Sequence, residues 1–163
     1  MSTHRAEAYW ERGTAPFVDG RYSRRHQLRF ANTVTVVASA SPFVVPAAFC
    51  EADAVDPEAA FVGSLTSCHM LWFLSLAAGA GFVVDDYRDS ASGVLAPNET
   101  GALAITTVIL SPHVRFTATA APDPAAYQQL HDEAHAQCFI ARSVRSHIQL
   151  EPTFELTPLP SSA

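Results

Sequence analysis

The sequence contains no lysine, so its ten basic residues are all arginine. Sixteen acidic residues leave a net charge of −6, and this acidic balance excludes a dedicated nucleic-acid-binding protein, which needs a basic surface. Charged residues make up only 16% of the chain and hydrophobic residues 48%, which predicts a folded protein rather than a disordered one. The length of 163 residues suits one domain, residues 1–163, or one subunit of a small oligomer.

Cysteine is also scarce. Cys50, Cys68 and Cys138 are the only three, which is too few and too odd a number for a secreted disulfide scaffold. Residues 1–13 lack the apolar segment of a secretory signal peptide. These two absences together predict a cytoplasmic protein.

The longest stretch without a charged side chain runs from residue 59 to residue 84, which is long enough to span a membrane. Its flanks are acidic, with Glu58 before it and Asp85 and Asp86 after it, and they carry no cation that would orient a span. We therefore expect a buried helix of a protein that does not enter the membrane. Because one small chain cannot cover such a helix on every side, the sequence also predicts a homodimer.

Hydrophobic periodicity and turn residues predict an α+β domain with the element order βββ–α–βββ–α–β. The predicted strands lie at residues 6–12, 22–30, 33–39, 87–95, 102–110, 114–118 and 144–150. Each helix is predicted to begin at an Asp-Pro pair, Asp56-Pro57 and Asp123-Pro124, and the first to end near Gly79. The Pro- and Ser-rich residues 158–163 predict a short frayed tail.

Cys68 and Cys138 each lie beside polar residues in an otherwise apolar segment, one on each predicted helix. A cysteine in such a place is often a core residue, and a reactive thiolate needs a cation close by. The dense group of cations is Arg21, Arg24, Arg25 and Arg29. This group suits either a thiolate site or a solvated strand edge. Glu58 likewise suits either a first-turn helix acid or a carboxylate that holds an arginine.

Five segments, taken in order along the chain, form a pattern that can be compared with known families. They are DPEAAFV at 56–62, SCHML at 67–71, AGF at 80–82, AIT at 104–106 and HAQCFIARSV at 135–144. With two cysteines in these contexts, the chain resembles the OsmC/Ohr family of thiol-dependent hydroperoxide reductases, and the OsmC-like branch in particular. The resemblance covers nearly the whole chain.

The resemblance implies an α+β fold in which antiparallel sheets surround two central helices of an intertwined homodimer. It implies that Cys68 is the peroxidatic cysteine and Cys138 the resolving cysteine of a peroxiredoxin-like peroxidase without a cofactor. The Cys68 sulfenic acid closes to a Cys68–Cys138 disulfide, and an external dithiol or lipoyl-protein reopens it. The sixteen aromatic residues favour a bulky organic hydroperoxide over H₂O₂.

The resemblance also implies a catalytic arginine that is oriented by Glu58. Residues 46–57 contain no arginine, so residues 22–30 are the better source, and Arg24 is expected to be catalytic, with Arg29 second. Ten helical residues separate Glu58 from Cys68, a rise of ~15 Å. One arginine could therefore touch both only if the helix is interrupted or another chain contributes.

Three other interpretations stay open at this stage. His131, His135 and Cys138 share one helix face, and with Cys68-His69 they could bind zinc. A Cys–His hydrolase lacks an obvious orienting Asn or Asp, and a catalytically silent stress or binding protein could retain the fold. Cys50 lies in a proline-flanked loop without a matching motif and is expected to be a bystander thiol.

Overall fold

The structure is a computed structural model that describes residues 1–31 and 33–157. These residues form nine strands and two α-helices, which confirms the predicted α+β class. The predicted frayed tail, residues 158–163, lies outside the described residues. The chain divides into two compact units, the first from Met1 to Ala60 and the second from Phe61 onward. That both units belong to a single domain stays a prediction.

The first unit is built on a three-stranded antiparallel sheet. Its strands are β1 (Ala6–Tyr9), β2 (His26–Phe30) and β3 (Thr35–Ala38), in the order β1-β2-β3. The strands are shorter than predicted, but the hairpin between β1 and β2 and the third strand beside it are confirmed. Gly20 in the connection has a φ of 74°, a conformation that glycine adopts without steric cost.

Helix α1 (Pro57–Gly79) begins and ends where the sequence predicts. Asp56 Oδ1 accepts a hydrogen bond from the backbone N–H of Ala59 at 2.7 Å, which satisfies one of the free donors of the first turn. The helix continues without interruption for 23 residues. Gly81, just beyond it, has a φ of 82°, which favours glycine and terminates the helix.

Within the part of the chain that the structure describes, one stripe of α1 is buried. The stripe consists of Leu65, His69, Phe73 and Ala77. Its other faces are more open, and the side chain of Leu71 is 61% exposed. Of the helices that the structure describes, α1 alone is long and apolar enough to cross a membrane, a property it shares with core helices of soluble proteins. An apolar helix exposed in this way needs further cover.

The second unit continues with six strands and one helix. They are β4 (Val84–Asp89), β5 (Ser92–Pro97), β6 (Leu103–Leu110), β7 (Pro112–Thr117), α2 (Pro124–Gln137), β8 (His147–Leu150) and β9 (Thr153–Thr157). The strands form two sheets, ordered β4-β7-β9 and β5-β6-β8. In each sheet the first pair is antiparallel and the second pair is parallel. Pairing is thus antiparallel in the first unit and mixed in the second.

Two features of the second unit differ from the predicted strand pattern. The single strand predicted over residues 87–95 is two strands, β4 and β5, in different sheets. The Asp89 carboxylate at the end of β4 accepts hydrogen bonds from the Ser111 N–H, at 2.8 Å, and from the Thr66 hydroxyl, which anchors this strand end before the chain moves to the other sheet. Strand β9 was not predicted, because it has only five residues and its parallel partner β7 is distant in the sequence.

The core of the second unit has two apolar clusters, and α1 contributes to both. One contains Phe73, Ala77, Val114, Phe116, Tyr127, Leu130 and Ala134, and the other contains Leu65, Val108 and Leu110. Helix α2 supplies three members of the first cluster. Cys68 therefore lies on α1 between Leu65 of one cluster and Phe73 of the other, where the helix is held on both sides.

Candidate active site

The two predicted catalytic cysteines meet in the second unit. Cys68 is partly buried on α1, and Cys138 is fully buried at the C-terminal cap of α2. Both thiols are free, and the Cys68 side chain lies close enough to Cys138 to raise the pKa of the Cys138 thiol. The sequence could place these residues only on separate helices, whereas the packing of the two helices brings their sulfur atoms together.

The end of α2 shapes the surroundings of Cys138. Its backbone N–H donates to the carbonyl of Ala134 at 3.0 Å and to that of His135 at 3.2 Å, which closes the helix. The chain then turns through the short 3-10 helix Ala141–Ser143, and the Ala141 N–H donates to Cys138 Sγ at 3.3 Å. The turn thus returns a backbone donor to the sulfur atom.

Burial, followed by the interaction with the Cys68 side chain, which favours the protonated Cys138 thiol, raises the pKa of Cys138 to about 11. The backbone donor of Ala141 acts in the opposite direction, because a hydrogen bond to the thiolate stabilises it, but burial outweighs it. Cys138 is therefore a protonated thiol near pH 7. Such a thiol is poorly suited to attack first and better suited to attack a sulfur atom that is already oxidised.

Aromatic side chains also meet beside the cysteines. Trp72 lies one turn after Cys68, and Phe139 directly follows Cys138. Their rings pack edge to face, with centroids 5.6 Å apart. The neighbourhood of the two thiols is therefore apolar, a setting that suits an organic substrate better than a strongly hydrated one.

Arg24 lies in the first unit and is fixed by its own loop. Its guanidinium donates to the carbonyl of Gly20 at 3.1 Å and to that of Tyr22 at 2.5 Å, and its Cζ atom lies 3.6 Å from the Tyr22 ring centroid. No carboxylate of the residues described forms an ion pair with it. Arg24 is therefore a preorganised cation whose charge is not compensated within the described chain.

The other three arginines of the group are exposed, whereas Arg24 is partly buried. Arg25 forms an ion pair with Glu51 at 3.6 Å. Arg29 lies on β2, opposite Glu7 of β1. Because β2 is the central strand of its sheet, these arginines are solvated but do not mark a strand edge, and Arg24 stands apart from them.

Arg24 lines an apolar pocket of about 380 Å³ in the first unit. Trp10, Phe17 and Tyr22 form its aromatic wall. Their rings pack against one another with centroid distances of 5.9, 5.2 and 4.8 Å. A cation at the edge of an aromatic pocket suits a ligand with an apolar body and a polar or anionic end.

Glu58 lies in the first turn of α1, and its Oε2 atom is buried without a hydrogen-bond partner among the described residues. The expected pairing of Glu58 with an arginine is therefore not formed within the part of the chain that the structure describes. Because α1 is uninterrupted, one of the two ways for an arginine to reach both Glu58 and Cys68 is excluded. A contribution from another chain remains.

The histidines do not form the zinc site that the helix spacing allowed. Among residues 1–31 and 33–157, no group of three or more His, Cys, Asp or Glu side chains is arranged to hold a metal ion. His131 Nδ1 instead shares a hydrogen bond of 2.9 Å with His69 Nε2. Burial lowers the pKa of His131 to about 3 and that of His69 to about 4, with a smaller contribution from the neighbouring histidines. Both rings are therefore neutral near pH 7.

The sequence did not predict this histidine pair, and offered the two residues only as possible ligands in the alternative zinc interpretation. One signal was available, because His69 lies in register with Leu65, Phe73 and Ala77 on the buried stripe of α1. A polar side chain on such a stripe indicates a buried partner. The identity of that partner, 62 residues away, was not visible in the sequence.

Comparisons with known proteins give one family. The sequence matches the family described as OsmC-like protein over residues 50–153, and no curated protein matches it. The chain is similar to an OsmC-like protein of unknown function from Vibrio cholerae, with 42% identity, a TM-score of 0.91, and coverage of 93% of this chain and 99% of that chain. In fold alone, it is similar to two organic hydroperoxide resistance proteins. The protein of Elizabethkingia anophelis has 14% identity and a TM-score of 0.65, with coverage of 96% of this chain and 98% of that chain. The protein of Bacillus subtilis has 15% identity and a TM-score of 0.62, with coverage of 94% of this chain and 98% of that chain.

Proposed function

This chain belongs to the OsmC-like protein family, and from that premise we propose that it is a thiol-dependent peroxidase that reduces organic hydroperoxides to alcohols. Membership of the family supports a peroxide-related role. The observation that carries the more specific proposal is the contact between two free thiols, Cys68 and Cys138, on adjacent helices. Two cysteines so placed can close a disulfide without a large movement of either helix.

In the first step, the Cys68 thiolate attacks the terminal oxygen of the hydroperoxide. The O–O bond breaks, the sulfur is oxidised to a sulfenic acid, and the leaving alkoxide takes a proton to become an alcohol. Cys68 suits this step because it is partly accessible, whereas Cys138 is buried and its pKa is raised to about 11.

In the second step, Cys138 loses its proton and its sulfur attacks the Cys68 sulfenic sulfur. The S–S bond forms, the S–O bond breaks, and hydroxide leaves with that proton as water. An external dithiol then reduces the disulfide and is itself oxidised to a disulfide. We propose a lipoyl-protein or a small dithiol as this reductant.

We propose that Arg24 stabilises the Cys68 thiolate and the charge that develops on the leaving oxygen, and that Glu58 orients it. Support comes from the uncompensated charge of Arg24 and from the buried, unpartnered Oε2 of Glu58 among the described residues. Because an unbroken helix separates Glu58 from Cys68, we propose that Arg24 and Glu58 of one subunit act on the cysteines of the other. The aromatic pocket beside Arg24 would then hold the organic group of the substrate.

We further propose that the protein is a soluble cytoplasmic homodimer in which the exposed faces of α1 are covered by a second copy. Leu71, which is 61% exposed, reports on this interface. Replacing Leu71 by arginine places a charge in an apolar contact, where its desolvation is strongly unfavourable. We expect the dissociation constant of the dimer to rise at least ~100-fold, which is equivalent to ~2.7 kcal/mol. Sedimentation velocity over a concentration series measures this constant.

The matched control for this variant is Gln128→Arg, which adds the same charge on an exposed position of α2. We expect Gln128→Arg to sediment as the wild type does. A wild-type protein that is monomeric at micromolar concentration, or a Leu71→Arg variant that stays dimeric, would contradict the proposed interface.

The peroxidase proposal is tested by peroxide consumption with cumene hydroperoxide and with H₂O₂, using dihydrolipoamide or dithiothreitol as the reductant. We expect faster turnover of the organic peroxide, because both the cysteine neighbourhood and the Arg24 pocket are apolar. Intact-mass spectra should show a loss of ~2 Da after one equivalent of peroxide, as disulfide formation requires. No turnover together with an unchanged mass would favour a catalytically silent member of the family.

A further inference from the structure

Two hydrogen bonds tie α1 to the rest of the second unit, and they lie on either side of Cys68. The Thr66 hydroxyl donates to Asp89 Oδ2 at the end of β4. His69 Nε2 and His131 Nδ1 of α2 share a hydrogen bond of 2.9 Å. Apart from the interaction of Cys68 with Cys138, no other side chain of α1 within residues 1–31 and 33–157 makes a polar contact with another helix or strand.

The histidine pair is enclosed by apolar side chains. His69 is 1% exposed and His131 is fully buried. Phe73 stacks on the His131 ring at a centroid distance of 4.3 Å, and Tyr127 contacts it edge on at 4.7 Å. The hydrogen bond between the two helices therefore forms in a region of low polarity, where such a bond is stronger than in water.

The pair is not an efficient way to stabilise this core. His69 Nδ1 and His131 Nε2 are buried without hydrogen-bond partners among the described residues. With both rings neutral, either tautomer leaves one N–H group and one lone pair unpaired, and each buried unpaired group costs ~1–3 kcal/mol. Two apolar side chains of similar volume would avoid this cost. The pair is therefore expected to determine how the two helices are positioned rather than to raise the free energy of unfolding.

Helix α1 has little else that fixes its axial position. After Glu58 it carries no charged side chain, and an apolar surface can pack in several neighbouring registers. A directional polar pair selects one register, as a single buried polar residue does in a coiled coil. Since one helical residue corresponds to a rise of ~1.5 Å, a small slip is enough to take Cys68 out of disulfide geometry with Cys138.

We propose that the pairs His69–His131 and Thr66–Asp89 are positioning residues that fix α1 against α2 and β4, and so hold Cys68 against Cys138. This inference rests on the proposed disulfide chemistry. None of the four residues takes part in the reaction itself. They determine how often the two sulfur atoms meet, and hence how stable the Cys68–Cys138 disulfide is relative to the two thiols.

The test compares stability with the thiol–disulfide equilibrium. In the double variant His69→Leu/His131→Leu, both polar partners are replaced by apolar side chains of similar volume, so the reduced protein should unfold at the same denaturant concentration as the wild type or a higher one. Its equilibrium constant for disulfide formation against oxidised dithiothreitol should nevertheless fall about tenfold. A merely structural pair would leave this constant unchanged once stability is restored.

Two further variants keep the test decisive. Thr66→Val removes the second tie and should lower the same constant in the same direction, even if the double histidine variant does not fold. Phe116→Leu creates a defect in the fully buried core with no ring contact to either histidine, so it should lower stability without changing the constant.

If the double variant and Thr66→Val both had the same equilibrium constant for disulfide formation as the wild type, the positioning role would be overturned. The peroxidase proposal would stay intact. A wild-type protein that forms no Cys68–Cys138 disulfide in oxidised dithiothreitol would overturn the positioning role together with the resolving role of Cys138.

Discussion

Cys68→Ser is expected to reduce peroxide consumption to the rate at which the dithiol reductant alone reacts with the peroxide. A serine hydroxyl cannot be oxidised to a sulfenic acid, and Cys138 cannot substitute because it is buried and its pKa is raised to about 11. Loss of the nucleophile removes the reaction path itself rather than one stabilising contact. The effect should therefore be larger than that of any other single substitution, and it is measured as steady-state turnover of cumene hydroperoxide.

Cys138→Ser should behave differently from Cys68→Ser. Without reductant, the variant should consume its first equivalent of hydroperoxide rapidly and stop at the sulfenic acid, because no thiol of the protein is placed to condense with it. Intact mass should rise by ~16 Da at that stage and by more with excess peroxide, as over-oxidation proceeds. The matched control is Cys50→Ser, since among the described residues the Cys50 thiol hydrogen-bonds only to nearby carbonyls, those of Val45 and Pro46. We expect it to retain full turnover. Full turnover in Cys68→Ser, or its loss in Cys50→Ser, would assign the peroxidatic role to another thiol.

The sequence predicted the parts of the fold that depend on local chemistry. Asp56-Pro57 and Asp123-Pro124 place a capping carboxylate and a proline at each helix start, and both helices begin there. The parallel pairings of β8 and β9 were not predicted, because they join distant segments whose own residues do not specify a partner. The break between β4 and β5 was missed for the same reason, since it depends on contacts of Asp89 with Thr66 and Ser111.

For the site, motifs identified the residue types but not their contacts. The two cysteines were recognisable from their surroundings, whereas their mutual contact and the raised pKa of Cys138 depend on how α1 and α2 pack. The contact between His69 and His131 was not predicted, and the two residues appeared only as possible zinc ligands, because helical spacing shows which residues share a face but not what that face contacts. Glu58 Oε2 has no hydrogen-bond partner among the residues described, and the pairing of Glu58 with an arginine of a second subunit stays a proposal.

Arg24→Gln is expected to lower kcat/KM for the organic hydroperoxide by ~10²–10³-fold, the usual effect of removing one preorganised group that stabilises developing charge. Gln keeps hydrogen-bonding capacity but loses the charge, and the carbonyls of Gly20 and Tyr22 lose two donors. The effect should be confined to the oxidation of Cys68. Stopped-flow measurement of that half-reaction separates it from reduction of the disulfide by dithiol, which we expect to be unchanged.

Arg25→Gln is a closely matched control, because it makes the same change in charge one residue away. It breaks the exposed ion pair with Glu51, and such pairs contribute little, so its kcat/KM should stay within about twofold of the wild type. Arg29→Gln tests the second candidate on β2 and should also have little effect. If Arg29→Gln lost the activity and Arg24→Gln kept it, the catalytic cation would be Arg29. The aromatic pocket beside Arg24 would then not be the site that holds the substrate, because the charge that activates the thiolate must lie next to the reacting oxygen atoms.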